Sequence, residues 1–337
     1  MEEKKIKKSV FSSVPKPIGS EIVAIKQNDS NDPNHCPVIV TPHLNNVVLS
    51  EWIKNNKPLI DDYLCKHGAI LFRGFNIHSI ELFKEFSDSY NPQNMEYTQR
   101  SSPRTEIKDS IYNSTEHPAD QEINMHNELS YAAVWPLKII FCCIIPAESG
   151  GETPIADSRK VFNDLTEEVK LKFADKGVLY IRNLNEQLGL KWQDVFQTTD
   201  PVQVEQYCHE NGIEYIWKSK EQLILKWRRK AVEKHPLTGE MIWFNHSLFF
   251  NSNSLDPIVK NTLSKDQLPF DTFYGDGSAI DIDTLAVIAS AFDRNKKIFN
   301  WEKGDVLLLD NMLMAHGRNP YKGDRKIVVS MLEPCNS

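Results

Sequence analysis

What most constrains this chain is a set of short apolar runs placed at uneven distances along it. They are GAILFRGF (68–75), LKIIFCCII (137–145), GVLYIRNL (177–184), MIWFNH (241–246), DVLLLD (305–310) and KIVVSML (326–332). Each has the length of a buried strand and is bounded by glycine, proline or polar residues. The gaps between them are long and irregular, without regular strand–helix alternation, which argues against a doubly wound parallel sheet. A mainly β fold with helical additions, a sandwich or barrel, accommodates them better. The spacing of Leu49, Trp52, Ile53, Leu59, Ile60 and Leu64 predicts a helix over 47–66. A second is expected over 79–90 with Ser79 as its N-cap, a third over 157–177 from Asp157 or Ser158 to Gly177, and a fourth over about 281–293. The stretch 185–240 is polar, contains Trp and follows neither period, so it reads as a lid insertion, a binding loop or mere decoration between core strands. No repeat, low-complexity tract or Gly/Ser linker divides the 337 residues, and one domain over 1–337 is expected, with a solvated tail over about 1–20.

The chain carries 39 Lys and Arg against 46 Asp and Glu, a net charge of −7. That balance excludes a broad electrostatic grip on nucleic acid or an anionic membrane, which needs clustered cations. No segment reaches the roughly 20 apolar residues of a membrane span, and the first residues lack the apolar core of a secretory signal. The six cysteines, Cys36, Cys65, Cys142, Cys143, Cys208 and Cys335, form no CxxC motif. Cys142 and Cys143 lie inside an apolar run, as buried thiols of a cytoplasmic protein do. Asn-x-Ser/Thr sequons such as those at Asn113 and Asn245 therefore carry little weight.

Just before the run at 137–145 stands MHNELSY (125–131). In an extended segment residues i and i+2 share a side, so His126 and Glu128 can aim an imidazole and a carboxylate at one point. Such a pair is more often the polar edge of a strand, and a metal needs a third ligand. His316, just beyond the run 305–310, supplies one; His117 and His246 compete with it on composition alone. Two His and one carboxylate form the facial triad of non-haem Fe(II) oxygenases. Two further residues add to this reading. SGGETPIADSR (149–159) delivers Thr153 after a Gly-Gly turn, and GDRK (323–326) places Arg325 nine residues after His316. A guanidinium close to a metal suits a dicarboxylate ligand, because its fork binds a carboxylate through two parallel hydrogen bonds.

With these blocks in order, and with SPRT (102–105), WFN (243–245), YGDG (274–277) and GDVLLLDNMLMAHGR (304–318) among them, the chain resembles the TauD/TfdA family of Fe(II)/2-oxoglutarate-dependent dioxygenases. It is most similar to the branch of clavaminate-synthase-like proteins and syringomycin-type amino-acid hydroxylases. The resemblance covers about 68–332. It implies a double-stranded β-helix (jelly-roll) core, His126, Glu128 and His316 as iron ligands, Thr153 in contact with 2-oxoglutarate, and Arg325 clamping its distal carboxylate. The implied cofactor is Fe(II) and the implied cosubstrates are 2-oxoglutarate and O2, with succinate and CO2 as co-products. The implied reaction is hydroxylation of an aliphatic C–H of an amino acid or similar small polar acid, free or tethered to a carrier protein, in natural-product biosynthesis. Related halogenases carry a small residue in place of the carboxylate, so Glu128 argues against halogenation. Relatives often carry a second Arg four residues after the cosubstrate Arg; here Val329 stands there. Arg104, Asn127, Tyr131 and Arg318 are the alternative substrate-binding candidates. Trp243 and Asn245 fall in a family block, although an aromatic on a strand is more often core. Two other readings stay open at this level: a 2-oxoglutarate-independent metalloenzyme of the cupin type, and a non-catalytic binding protein on the same fold.

Overall fold

The run around 137–145 becomes the strand Trp135–Ile145, and its surroundings explain why it is apolar throughout. Alternate side chains of a strand face opposite ways. Ile139, Phe141 and Cys143 enter the main core, whereas Ile140 and Cys142 enter a second core built with the helices Leu49–His67 and Ile80–Tyr90. Both faces are covered, so neither face selects for polar residues. The computed structural model describes residues 23–26, 37–44, 46–95, 97–101, 106–115, 117–186 and 189–336, apart from the Asp266 side chain. The expected tail, Cys36 and Arg104 lie outside the described residues.

Trp135–Ile145 is central to an eight-stranded sheet ordered Val23–Lys26, Val38–Pro42, Ala69–Phe72, Val306–Asp310, Trp135–Ile145, Lys326–Cys335, Ile111–Asn113 and Glu106–Lys108. Val38–Pro42 and Ala69–Phe72 pair in parallel, and the helix Leu49–His67 makes the crossover that a parallel pair requires. A second sheet runs Lys296–Lys297, Ile155–Asp157, Met314–Arg318 and Ile123–His126. Side chains of both sheets meet in the main core, Phe141, Leu307 and Val329 from the large one and Met125, Ile155 and Ala315 from the small one. The protein therefore has the two-sheet arrangement of a jelly-roll core, with helices on the outer face of the large sheet.

Three expectations change. The helix expected over 157–177 is two helices, Ser158–Asp164 and Glu167–Lys176. Leu165 between them is extended, and Thr166 opens the second helix by accepting a hydrogen bond from the Val169 N–H, with Glu167 and Glu168 in its first turn. The stretch 185–240 is a built part of the core from Trp192 onward rather than a lid. Its strands Ile213–Trp217 and Leu223–Arg229 join Val178–Leu184 and Phe270–Tyr274 in a four-stranded sheet, and Trp192, Leu223, Leu225 and Trp227 are buried in the main core. Finally, His316 does not sit at the end of the strand Val306–Asp310; it lies within its own strand, Met314–Arg318, in the opposite sheet. Among the described residues no helix is long and apolar enough to cross a membrane.

Candidate active site

The strands Ile123–His126 and Met314–Arg318 are neighbours, and His126 and His316 are directly paired across them. Their ring centroids lie 4.6 Å apart. The strand ends at His126, so Glu128 reaches the same point by a turn rather than by strand alternation; Leu129 after it takes φ 56°. One ligating atom from each of His126, Glu128 and His316 lies within 4.8 Å of the other two, and all three side chains are buried. The His126 Nδ1–H faces the Asn124 carbonyl at 2.8 Å, which leaves Nε2 with its lone pair toward the cluster. Two imidazoles and a carboxylate at this separation suit a first-row divalent cation.

The imidazoles of His126 and His316 open on a cavity of about 480 Å³, whose wall includes Phe141, Thr153, Phe249, Phe250, Arg318 and Arg325. Thr153 is positioned by Trp301, whose indole N–H donates to its Oγ1 at 3.1 Å. Arg325 donates through Nε to the Gly151 carbonyl at 2.9 Å and lies 5.5 Å from the centre of the Tyr321 ring. A Cβ on Gly151 would stand 2.9 Å from Arg325 Cδ and 3.0 Å from Tyr321 Cβ, and the residue has φ +72°, so glycine is what lets the guanidinium pass. Burial, with the neighbouring Arg318 charge adding to it, pulls the Arg325 guanidinium down to about 10, so it stays cationic near neutrality.

The other candidates are placed differently. Arg318 lines the cavity, but its terminal nitrogens donate to the carbonyls of His117, Pro118 and Gln121, so it serves as a clamp on the loop leading to His126. Asn127 and Tyr131 do not line the cavity. The Asn127 amide donates to Ser158 Oγ at 3.0 Å and to the Asn311 carbonyl at 2.7 Å; the Tyr131 hydroxyl donates to the Gln99 carbonyl at 2.6 Å. Both polar ends are turned into the core, which corrects the expectation of substrate contact. Trp243 packs against Phe173 in the core, with ring centroids 4.9 Å apart, and Asn245 donates to the Ala231 carbonyl at 2.7 Å. His117 lines the cavity without joining the cluster. His246 stands beside His126, centroids 5.5 Å apart, and burial first, then the His126 and Arg182 charges, push it well below the usual imidazole range. Sequence reasoning missed Phe249, Phe250, Trp301 and Tyr321. The phenylalanines lie in an irregular turn after Trp243 that carries no strand or helix period, although two adjacent aromatics outside any period were themselves a signal.

The family model for the taurine catabolism dioxygenase TauD, TfdA family matches residues 35–331. The dapdiamide synthesis protein DdaC of Enterobacter agglomerans is 35% identical over 300 residues, covering 88% of this chain and 91% of that protein. A clavaminate synthase-like protein of Arabidopsis thaliana is 27% identical over 303 residues, covering 87% and 90%. The solved structure of the PvcB protein from Pseudomonas aeruginosa superimposes with a TM-score of 0.54 at 12% identity, covering 92% of this chain and 90% of PvcB, a likeness of fold. On the family match and the similarity to DdaC, the chain belongs to the TauD/TfdA family of dioxygenases.

Proposed function

We propose that this TauD/TfdA-family dioxygenase holds Fe(II) through His126, Glu128 and His316, seats 2-oxoglutarate on Thr153 and Arg325, and hydroxylates an aliphatic C–H of an amino acid or similar small polar acid. The observation that carries this reading is the meeting of two imidazoles and a carboxylate within 4.8 Å at a cavity whose wall also bears Thr153 and Arg325. A solved structure of PvcB describes that protein as an Fe, alpha-ketoglutarate-dependent oxygenase of an isonitrile synthetic pathway, and DdaC is named for dapdiamide synthesis. The similarity to DdaC supports a biosynthetic role for the present chain; whether the substrate is free or tethered to a carrier is decided by the substrate panel below. The unpaired thiols of Cys65, Cys142, Cys143, Cys208 and Cys335 support a cytoplasmic setting.

Bound iron supplies the oxidative chemistry, coupling decarboxylation of 2-oxoglutarate by O2 to attack on an unactivated C–H. The residues of the chain bind, orient and dry the site. Asn124 fixes the His126 tautomer, so that Nε2 faces the metal position. Thr153 accepts from Trp301 and keeps its own O–H to donate to a cosubstrate carboxylate. Arg325 spends Nε on Gly151 and directs its terminal nitrogens to the distal carboxylate. Phe249, 4.8 Å from the His126 ring centre, and Phe250 beside it exclude water where the C–H is placed. Because Arg318 is occupied by loop carbonyls, it is not assigned to a substrate carboxylate. Glu128 would supply the carboxylate ligand that related halogenases lack, which favours hydroxylation over halogenation.

The test is succinate release from 2-oxoglutarate with Fe(II), O2 and ascorbate across a panel of free and carrier-tethered amino acids. The expected result is succinate in step with a product 16 mass units heavier. Absence of succinate on every substrate, together with no binding of Fe(II) or 2-oxoglutarate, would overturn the reading.

A further inference from the structure

The proposed metal ligands stand on two arms of the chain that pair as neighbouring strands, and the turns beside those strands are tied by buried side chains, Asn127 from one arm and Asn311 from the other. His316 follows the turn that leaves the strand Val306–Asp310, and Glu128 lies in the turn that follows Ile123–His126. Asn311, fully buried in the first of these turns, reaches across to the second. Its Oδ1 accepts from the Glu128 backbone N–H at 2.8 Å, and its Nδ2 donates to the Glu128 carbonyl and to the Pro136 carbonyl, each at 2.9 Å. That carboxamide thus brackets the Glu128 residue with its acceptor and one donor, and spends its other bond on Pro136 at the start of the strand Trp135–Ile145.

The turn that presents Asn311 is itself braced. Asp310 Oδ1 accepts from the Met312 and Leu313 N–H groups at 3.0 and 3.1 Å, and Oδ2 faces Lys138 at 2.6 Å and His235 at 3.2 Å. The Asn311 N–H donates to the Leu137 carbonyl at 2.9 Å, and its carbonyl receives the Asn127 amide at 2.7 Å. The partner turn, by contrast, contains Leu129 at φ 56°, a backbone state that such a residue rarely adopts without outside support.

We infer that Asn311 is a positioning residue for the metal centre, holding the Glu128 backbone at a fixed place relative to His316 before a cation arrives. This rests on the assignment of His126, Glu128 and His316 as ligands. The Asn311 side chain touches no cation itself; it acts through Glu128, as groups behind metal ligands commonly do, with effects of about 10- to 100-fold on affinity.

The experiment titrates the metal-free full-length chain with Co(II), whose visible absorption reports coordination as well as affinity. Asn311→Ser and Asn311→Asp are compared with the wild type and with Leu64→Ala, which cuts the helix-side core far from the site. The expected result is a loss of about 10- to 100-fold in Co(II) affinity and an altered visible spectrum in the Asn311 variants. Leu64→Ala should melt earlier yet bind as the wild type does. Wild-type affinity and spectrum in Asn311→Ser, or an equal loss in Leu64→Ala, would overturn the inference. If neither Asn311 variant folds, hydrogen exchange of the Glu128 amide in wild-type protein decides. Protection of that amide without metal is expected; rapid exchange that slows only on adding Co(II) would contradict it. Failure of the wild type to bind Co(II) at all is a separate outcome, which removes the ligand assignment and the inference with it.

Discussion

Replacing Arg325 by Met keeps the apolar stem of the side chain and removes the guanidinium, both its fork and its Nε–H bond to Gly151. The wild-type guanidinium is half-buried, hydrogen-bonded to Gly151 through Nε at 2.9 Å, and still cationic at neutrality because its lowered pKa is about 10. A cosubstrate carboxylate at the terminal nitrogens would be left without its counter-charge in the variant. Breaking a buried ion pair from one side costs about 3–5 kcal/mol. At about 1.4 kcal/mol per decade, the dissociation constant for 2-oxoglutarate should rise by about two to three and a half decades. Arg325→Lys keeps the charge but loses the two-pronged geometry, and about a tenfold rise is expected. Anaerobic calorimetry with Co(II) in place of iron reads the cosubstrate affinity directly, and the Co(II) affinity measured alongside should not change. A dissociation constant for Arg325→Met within about threefold of wild type, which is well under 1 kcal/mol, would refute the assignment of the clamp.

Two further outcomes follow from the same geometry. Gly151→Ala places a Cβ 2.9 Å from Arg325 Cδ at a residue with φ +72°, so it should weaken 2-oxoglutarate binding by about 1–3 kcal/mol while Co(II) affinity stays intact; calorimetry on the variant checks this. The Lys138–Asp310 pair, exposed by only 3% and 0%, governs a pH effect. Burial alone would raise the Asp310 carboxyl, but the Lys138 charge and the His235 hydrogen bond outweigh it and hold the carboxyl well below its usual range. Burial likewise opposes Lys138, and Asp310 carries it above its usual range. A lowered acid and a raised base together contribute stability that is flat from about pH 4 to about pH 10 and is lost below and above that window. Urea unfolding of Asp310→Asn should therefore show a loss of about 3–5 kcal/mol at pH 7 and a shallower decline below pH 4 than wild type. Equal stability at pH 7 would contradict the pairing.

The sequence made the strands and the chemistry-bearing residue types legible, because each is a local property. Runs such as DVLLLD report burial on both faces, and the helix Ile80–Tyr90 begins at the Ser79 cap that its pattern indicated. What it could not display was which neighbour each polar group would find across the fold. Arg318 reads as a free cation two residues from His316, yet it is occupied by carbonyls about 200 positions earlier in the chain. Asn127 flanks the ligands in sequence and faces away from them in space, since the chain leaves the strand at His126. Alternation predicted the meeting of His126 with Glu128 on the assumption of a continuous strand, whereas a turn held by Asn311 makes it. Trp227, on the strand Leu223–Arg229 of an added sheet, and Trp192, in the short helix Trp192–Phe196 packed on that sheet's Trp217, are both core residues inside the stretch that was hard to pattern. The break at Leu165 was readable: Thr166 followed by two Glu is an N-terminal helix signature inside a segment taken as one helix.

The proposed function requires that His126, Glu128 and His316 hold the metal on which 2-oxoglutarate binding depends. Anaerobic calorimetry of Fe(II) followed by 2-oxoglutarate, on the wild type and on His316→Ala, tests it most directly. One Fe(II) per wild-type chain is expected, with 2-oxoglutarate binding tightened once Fe(II) is present, and loss of both in a folded His316→Ala protein. Fe(II) binding that survives His316→Ala at wild-type affinity, or a wild-type chain that takes up no Fe(II), would contradict it.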